Sequence, residues 1–130
     1  MLYDCYMIVG EQFKNILKDG KVIGYQFGLR IPYFSSVVLS LISPMELKVD
    51  GEIIPEEQMT LTLDGKTYPK NQLRDDPITR WEFGRIGIIS VLKPGGLTPG
   101  EHNIDVRQGV MIGFQSGGMY GHDIKTLTVK

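Results

Sequence analysis

The side chains able to do proton or nucleophile chemistry are few: two histidines, His102 and His122, one cysteine, Cys5, and serines without a Gly-x-Ser-x-Gly context. A nucleophile needs a base beside it, and the spacing shows no such pair. His122-Asp123 invites a general-base reading, but adjacent strand residues point to opposite faces. Ordinary polarity in a glycine-rich loop over residues 115–122 is the favoured account of the histidine. His102 follows Gly100-Glu101 at the start of a strand, where an exposed polar side chain is expected. A metal needs three or four convergent ligands, and the histidines and scattered carboxylates lack a spacing such as His-x-x-x-His. The run Gly113-Phe114-Gln115-Ser116-Gly117-Gly118 lacks the Gly-Lys-Ser/Thr ending of a phosphate loop, and no helical pattern follows it. Trp81 has the ring of a sugar-stacking platform, yet it shares parity with Phe83, so both are expected in the core. The residues predict no catalytic group and no metal ligand on this chain.

The elements around these residues read as β-structure. In residues 25–33, Tyr25, Phe27, Leu29, Ile31 and Tyr33 alternate with polar, small or imino residues. That period of two marks a long core strand with Gln26 and Arg30 on its other face, ending near Pro32, which cannot donate a ladder hydrogen bond. A second even-parity row, Ile104, Val106, Val110, Ile112 and Phe114, is interrupted only by Gln108. Asp19-Gly20, Asp50-Gly51 and Asp64-Gly65 suit the positive φ angles of type I′ turns, so three hairpins are predicted. Residues 11–18 fit a helix or a strand, and the turn that follows favours the strand. At the third hairpin a two-residue turn sets Leu61 opposite Tyr68 and Leu63 opposite Lys66, with Thr60 and Thr62 outside. At the second, a two-residue turn pairs Leu47 with Ile54 and a three-residue loop pairs Val49 with Ile53; the pattern leaves both open. Residues 71–79 read as a polar surface connection. Residues 86–92 are apolar on both faces, as in a central strand, and residues 124–129 read as a last short strand.

Composition limits the function classes. A chain of 130 residues suits one domain, 1–130, able to fold without disulfide or metal. Fourteen basic against fifteen acidic residues leave a net charge of -1, which disfavours nucleic acid and anionic membranes as partners. A single cysteine suggests a reducing compartment, and the absence of a basic leader or long apolar run suggests a cytoplasmic protein. The fold class expected is an all-β, antiparallel β-sandwich, immunoglobulin-like or jelly-roll-like. Arg30, Tyr33, Met119, Tyr120 and His122 are candidates for a partner interface, because arginine is enriched at interfaces and loop apolar residues lack a core role. Tyr120 and His122 are also candidates for proximity to a substrate.

The series Phe27-Gly28-Leu29-Arg30-Ile31-Pro32-Tyr33, Leu39-Ser40-Leu41-Ile42, Arg80-Trp81-Glu82-Phe83-Gly84, Lys93-Pro94-Gly95-Gly96-Leu97-Thr98-Pro99-Gly100-Glu101-His102 and Gly121-His122-Asp123 resembles the small β subunit of bacterial C-glycoside deglycosidases. The resemblance runs from about residue 6 to 129; where that family's turn after Ile-Pro-Tyr often carries Arg-Gly, this chain has Ser35-Ser36. It implies a hetero-oligomeric enzyme whose α subunit has a TIM-barrel, sugar-isomerase-like fold and a divalent metal, expected to be manganese, with no cofactor on this chain. The implied substrates are 3-oxo-C-glycosides of flavonoids and related phenolics. Their C3 ketone acidifies the C2 proton, a metal can stabilise the enolate, and elimination then breaks the carbon-carbon bond at C1. Two other readings stand beside this one: a carbohydrate-binding or immunoglobulin-like accessory module acting alone, and a small independent enzyme using His122.

Overall fold

The computed structural model describes residues 7–31, 36–82, 84–110 and 119–129, and within them the side chains of all but residues 74, 119 and 120. The chain folds as an antiparallel β-sandwich. One sheet joins β1 (Ile8–Lys18), β2 (Lys21–Leu29), β9 (Gly87–Leu92), β6 (Met59–Leu63) and β7 (Lys66–Pro69), in that order. The other joins β11 (Met119–Val129), β10 (Gly100–Val110), β4 (Glu46–Val49) and β5 (Glu52–Ile54), while β3 (Val37–Val38) and β8 (Arg80–Trp81) form a separate ladder. Among the described residues the short 3-10 helices Leu39–Leu41, Glu56–Gln58 and Lys70–Asp75 lie between strands.

Alternation places the core as expected. Tyr25, Phe27, Leu29 and Ile31 are fully buried, facing Ile89 and Val91 of the same sheet's inner side and the inward row Ile104, Val106 and Val110 of β10. Tyr33, the last member of the predicted row, lies outside the described residues, as do Phe83, Ile112 and Phe114. Gln108 does break the apolar row: it is fully buried, and its Nε2 donates to the carbonyls of Ser43 (2.6 Å) and Gly109 (2.8 Å). Trp81 is buried, with Nε1 donating to the Arg85 carbonyl at 2.8 Å, so its ring faces no solvent on which a sugar could stack.

All three Asp-Gly pairs are two-residue turns in the left-handed region, with φ of 53° and 78° at 19–20, 52° and 82° at 50–51, and 52° and 79° at 64–65. The third hairpin has the predicted register. The second pairs Leu47 with Ile54 and Val49 with Glu52, and leaves Ile53 exposed. Turn chemistry therefore decided a register on which the hydrophobic pattern was divided. Residues 11–18 are strand, and β9 is the middle strand of its sheet.

Three expectations are corrected. Residues 119–122 belong to β11, which runs along the whole of β10 in unbroken register, so Met119, Tyr120 and His122 are strand and not loop residues, and the last strand is eleven residues long. Its inward row contains Gly121, Asp123 and Lys125, which hide the alternation that an apolar row would show. Residues 71–79 are not simply a surface connection, because the 3-10 helix Lys70–Asp75 buries Leu73 and Lys70. His102 is buried, because its even parity puts it in the inner row of β10.

Candidate partner interface

The two sheets present outer faces of opposite character. On the four-stranded sheet the register aligns Glu46, Arg107 and His122 across one rung, and Lys48, Asp105 and Ile124 across the next. His122 Nε2 lies 2.8 Å from Asp105 Oδ1, and Lys48 Nζ lies 3.8 Å from Glu46 Oε1. Accepting the Nε2–H bond, Asp105 orients the half-buried imidazole. Glu101 and Asn103 continue the face toward the start of β10. This surface is charged and solvated, as expected of an open sheet face.

The outer face of the five-stranded sheet is nearly uncharged. One rung runs Lys14, Gln26, Ser90, Thr60 and Pro69. The next runs Val9, Gly28, Ile88, Thr62 and Thr67, and a third joins Ile16, Gly24 and Leu92. Across these rungs only Lys14, on the outermost strand, carries a charge. Ile16, Ile23, Gly24, Val91 and Leu92 line an apolar depression of about 290 Å³, bordered by Thr60 and Glu57. Gly24 is required there: a Cβ would stand 2.0 Å from the Val91 carbonyl oxygen. The sequence carried one signal of this face, the apolar residues at both parities of residues 86–92, which mark a central strand.

Of the predicted interface residues, His122 and Arg30 lie on different sheets. His122 sits on the charged face. Arg30 follows the end of β2 in the other sheet, half-buried, with its backbone N–H on the Met7 carbonyl at 2.9 Å. The backbones of Met119 and Tyr120 open β11 opposite Val110 and Gly109, and Tyr33 lies outside the described residues. His122 and Asp123 point to opposite faces, as strand geometry demands, so the two do not form one site. Asp123 turns inward and its Oδ2 accepts the Ile8 N–H at 2.8 Å, while Lys125, 3.7 Å from the same oxygen, donates to the Ile8 carbonyl. Together they clamp the edge of one sheet to the edge of the other.

Two further polar clusters each hold a buried side chain against a more exposed carboxylate. His102 places Nδ1 at 2.7 Å from Asp50 Oδ2 and Nε2 at 2.7 Å from the Thr98 carbonyl oxygen. A carbonyl only accepts, and so does a carboxylate, so the imidazolium is the form that satisfies both contacts. The hydrogen bond to Asp50 accordingly raises the His102 pKa above its ordinary value, and the bonds from His102 and the Asn103 N–H lower that of Asp50. Lys70 is buried and donates to Glu56 Oε2 at 3.2 Å, an oxygen that also accepts the Met45 N–H at 2.9 Å. Desolvation lowers the pKa of Lys70. Fourteen residues separate Lys70 from Glu56 in the sequence, and nothing in either segment announces the pair. Among the described residues no group of three His, Cys, Asp or Glu side chains could hold a metal ion, and no helix is long and apolar enough to cross a membrane.

Comparison with known proteins supplies the context for these surfaces. A family model described as C-glycoside deglycosidase beta subunit matches residues 3–114. A protein of Eubacterium cellulosolvens named C-glycoside deglycosidase beta subunit is 38% identical over 93 residues, which cover 71% of this chain and 63% of that relative's length. The matched region thus falls short of two thirds of the relative.

Proposed function

The chain belongs to the C-glycoside deglycosidase beta subunit family, and from that premise we propose that it is the small, non-catalytic subunit of a cytoplasmic hetero-oligomeric carbon-carbon lyase. Its partner is a TIM-barrel α subunit that holds the divalent metal, expected to be manganese, and carries the chemistry. The match over residues 3–114 is the observation that supports this reading. The described residues do not fit a metal centre of their own. The substrate class is a 3-oxo-C-glucoside of a flavonoid or related phenolic, cleaved by removal of the C2 proton and elimination across C1 and C2. This chain's part is to complete the α subunit's fold and shape the surroundings of its pocket, through an interface of the size permanent complexes use.

Co-expression with an α-subunit candidate, light scattering on the purified material and a metal-dependent cleavage assay on a 3-oxo-C-glucoside test the proposal. Co-purification with activity that needs both chains is expected. A stable, solitary chain with no effect on the partner's turnover would overturn it. His122→Ala separates assembly from catalysis: turnover is expected to persist in the assembled complex, and a large loss with assembly intact would make His122 a catalytic residue.

A further inference from the structure

Resting on the subunit reading, we propose that the outer face of the five-stranded sheet is the surface that docks the partner subunit, with an apolar side chain of the partner seated in the depression above Gly24. The four-stranded face, with His122, stays in solvent.

Three observations carry this. The first is charge. Interface cores are depleted in charged residues, and the three central positions of two rungs, Gln26-Ser90-Thr60 and Gly28-Ile88-Thr62, carry no charge, whereas the opposite face carries Glu46, Lys48, Asp105 and Arg107. Charges on this side are found at the border instead: Lys14 on the outermost strand, Glu57 beside the depression, and the Arg85–Asp64 ion pair at the tip of a hairpin. An uncharged centre inside a charged border is the layout of a specific interface.

The second is area. Five strands about 4.8 Å apart, of which β9 contributes six residues, β6 five and β7 four at about 3.3 Å rise each, project to roughly 24 by 13–20 Å. Side-chain relief brings such a patch to the order of the ~800 Å² per partner that a standard stable interface occupies. The third is relief itself. Leu92 stands 62% exposed beside a depression of about 290 Å³ lined in part by Gly24, where a Cβ would collide with the Val91 carbonyl oxygen of the neighbouring strand. An apolar cavity of that volume accepts one large side chain, the usual form of an anchoring contact. The occupant is therefore a second kind of chain presenting an uncharged patch with one protruding apolar or aromatic residue.

A matched pair of substitutions tests the assignment. Leu92→Glu and Ile124→Glu each replace an exposed aliphatic side chain, 62% and 51% accessible, on opposite outer faces. Leu92→Glu would bury an unpaired carboxylate in the complex and should weaken association roughly a hundredfold or more. Ile124→Glu should leave it unchanged. Thr60→Glu, at the centre of the face, serves as a second variant, and unfolding curves of each variant alone control for misfolding. Unchanged association of both Leu92→Glu and Thr60→Glu, loss in Ile124→Glu, or a homodimer of this chain broken by Leu92→Glu would each overturn the assignment. Failure of the unmodified chain to bind the partner would instead overturn the subunit reading, and this one with it.

Discussion

Asp123 offers the sharpest test of how the sandwich is closed. Replacing it by alanine removes the acceptor of the buried Ile8 N–H, a contact of 2.8 Å. A hydrogen bond to a charged group contributes about 1.5–3 kcal/mol, and the buried donor left behind has no water to turn to. Lys125 also loses its partner at 3.7 Å, but its side chain is 36% exposed, so screening holds that part below about 1 kcal/mol. The sum is about 2–4 kcal/mol, a large share of the ~5–15 kcal/mol that holds a domain folded. For 130 residues the unfolding entropy is roughly 0.27 kcal/mol per kelvin, so Tm should fall by about 7–15 °C. Asp123→Asn keeps an oxygen that can accept the same N–H and should cost about 1 kcal/mol, or about 4 °C. Thermal and urea unfolding of the purified chain measure both, and amide exchange at Ile8 should accelerate in the alanine variant only. An alanine variant melting within about 2 °C of the parent would refute the clamp. So would an asparagine variant as damaged as the alanine one, since the acceptor would then not be the feature that matters.

His102 should make stability pH-dependent. Its folded pKa is raised, so its contribution is complete below the unfolded value of about 6.5 and fades as pH rises through the folded value. Asp50, with a lowered pKa, contributes above about pH 3.8 and fades below it. Urea unfolding across pH 4–9 should therefore show a plateau near pH 4–6.5 and a loss of about 1 kcal/mol on the alkaline side that His102→Ala abolishes; a slope unchanged in that variant would exclude His102 as its source. Lys70→Ala should cost about 2–4 kcal/mol, less than a fully buried pair because the Glu56 side chain is 18% exposed, and Lys70→Met combined with Glu56→Gln should recover much of it. A shift in the urea midpoint equivalent to less than about 1 kcal/mol for Lys70→Ala would show that the pair is not a stabilising anchor.

What was legible in the sequence follows from which forces act locally. The Asp-Gly turns and the row Tyr25 to Ile31 depend on φ preferences and a period of two, and both were readable from a few adjacent residues. The hidden parts are inward polar residues whose partners lie far along the chain: Asp123 with Ile8, His102 with Asp50, Lys70 with Glu56. Each sits where a burial pattern expects an apolar side chain, so each misleads a reading based on polarity alone. The uncharged outer face was hidden for a related reason. Such a face is a property of rungs drawn from several strands and not of single conspicuous residues. Thr60, Ser90 and Gln26 are unremarkable separately, and their meaning appears only when the register places them side by side without a charge between them. The informative feature of this protein is therefore the difference between its two outer faces, one crossed by charged residues and the other polar or apolar but nearly without charge.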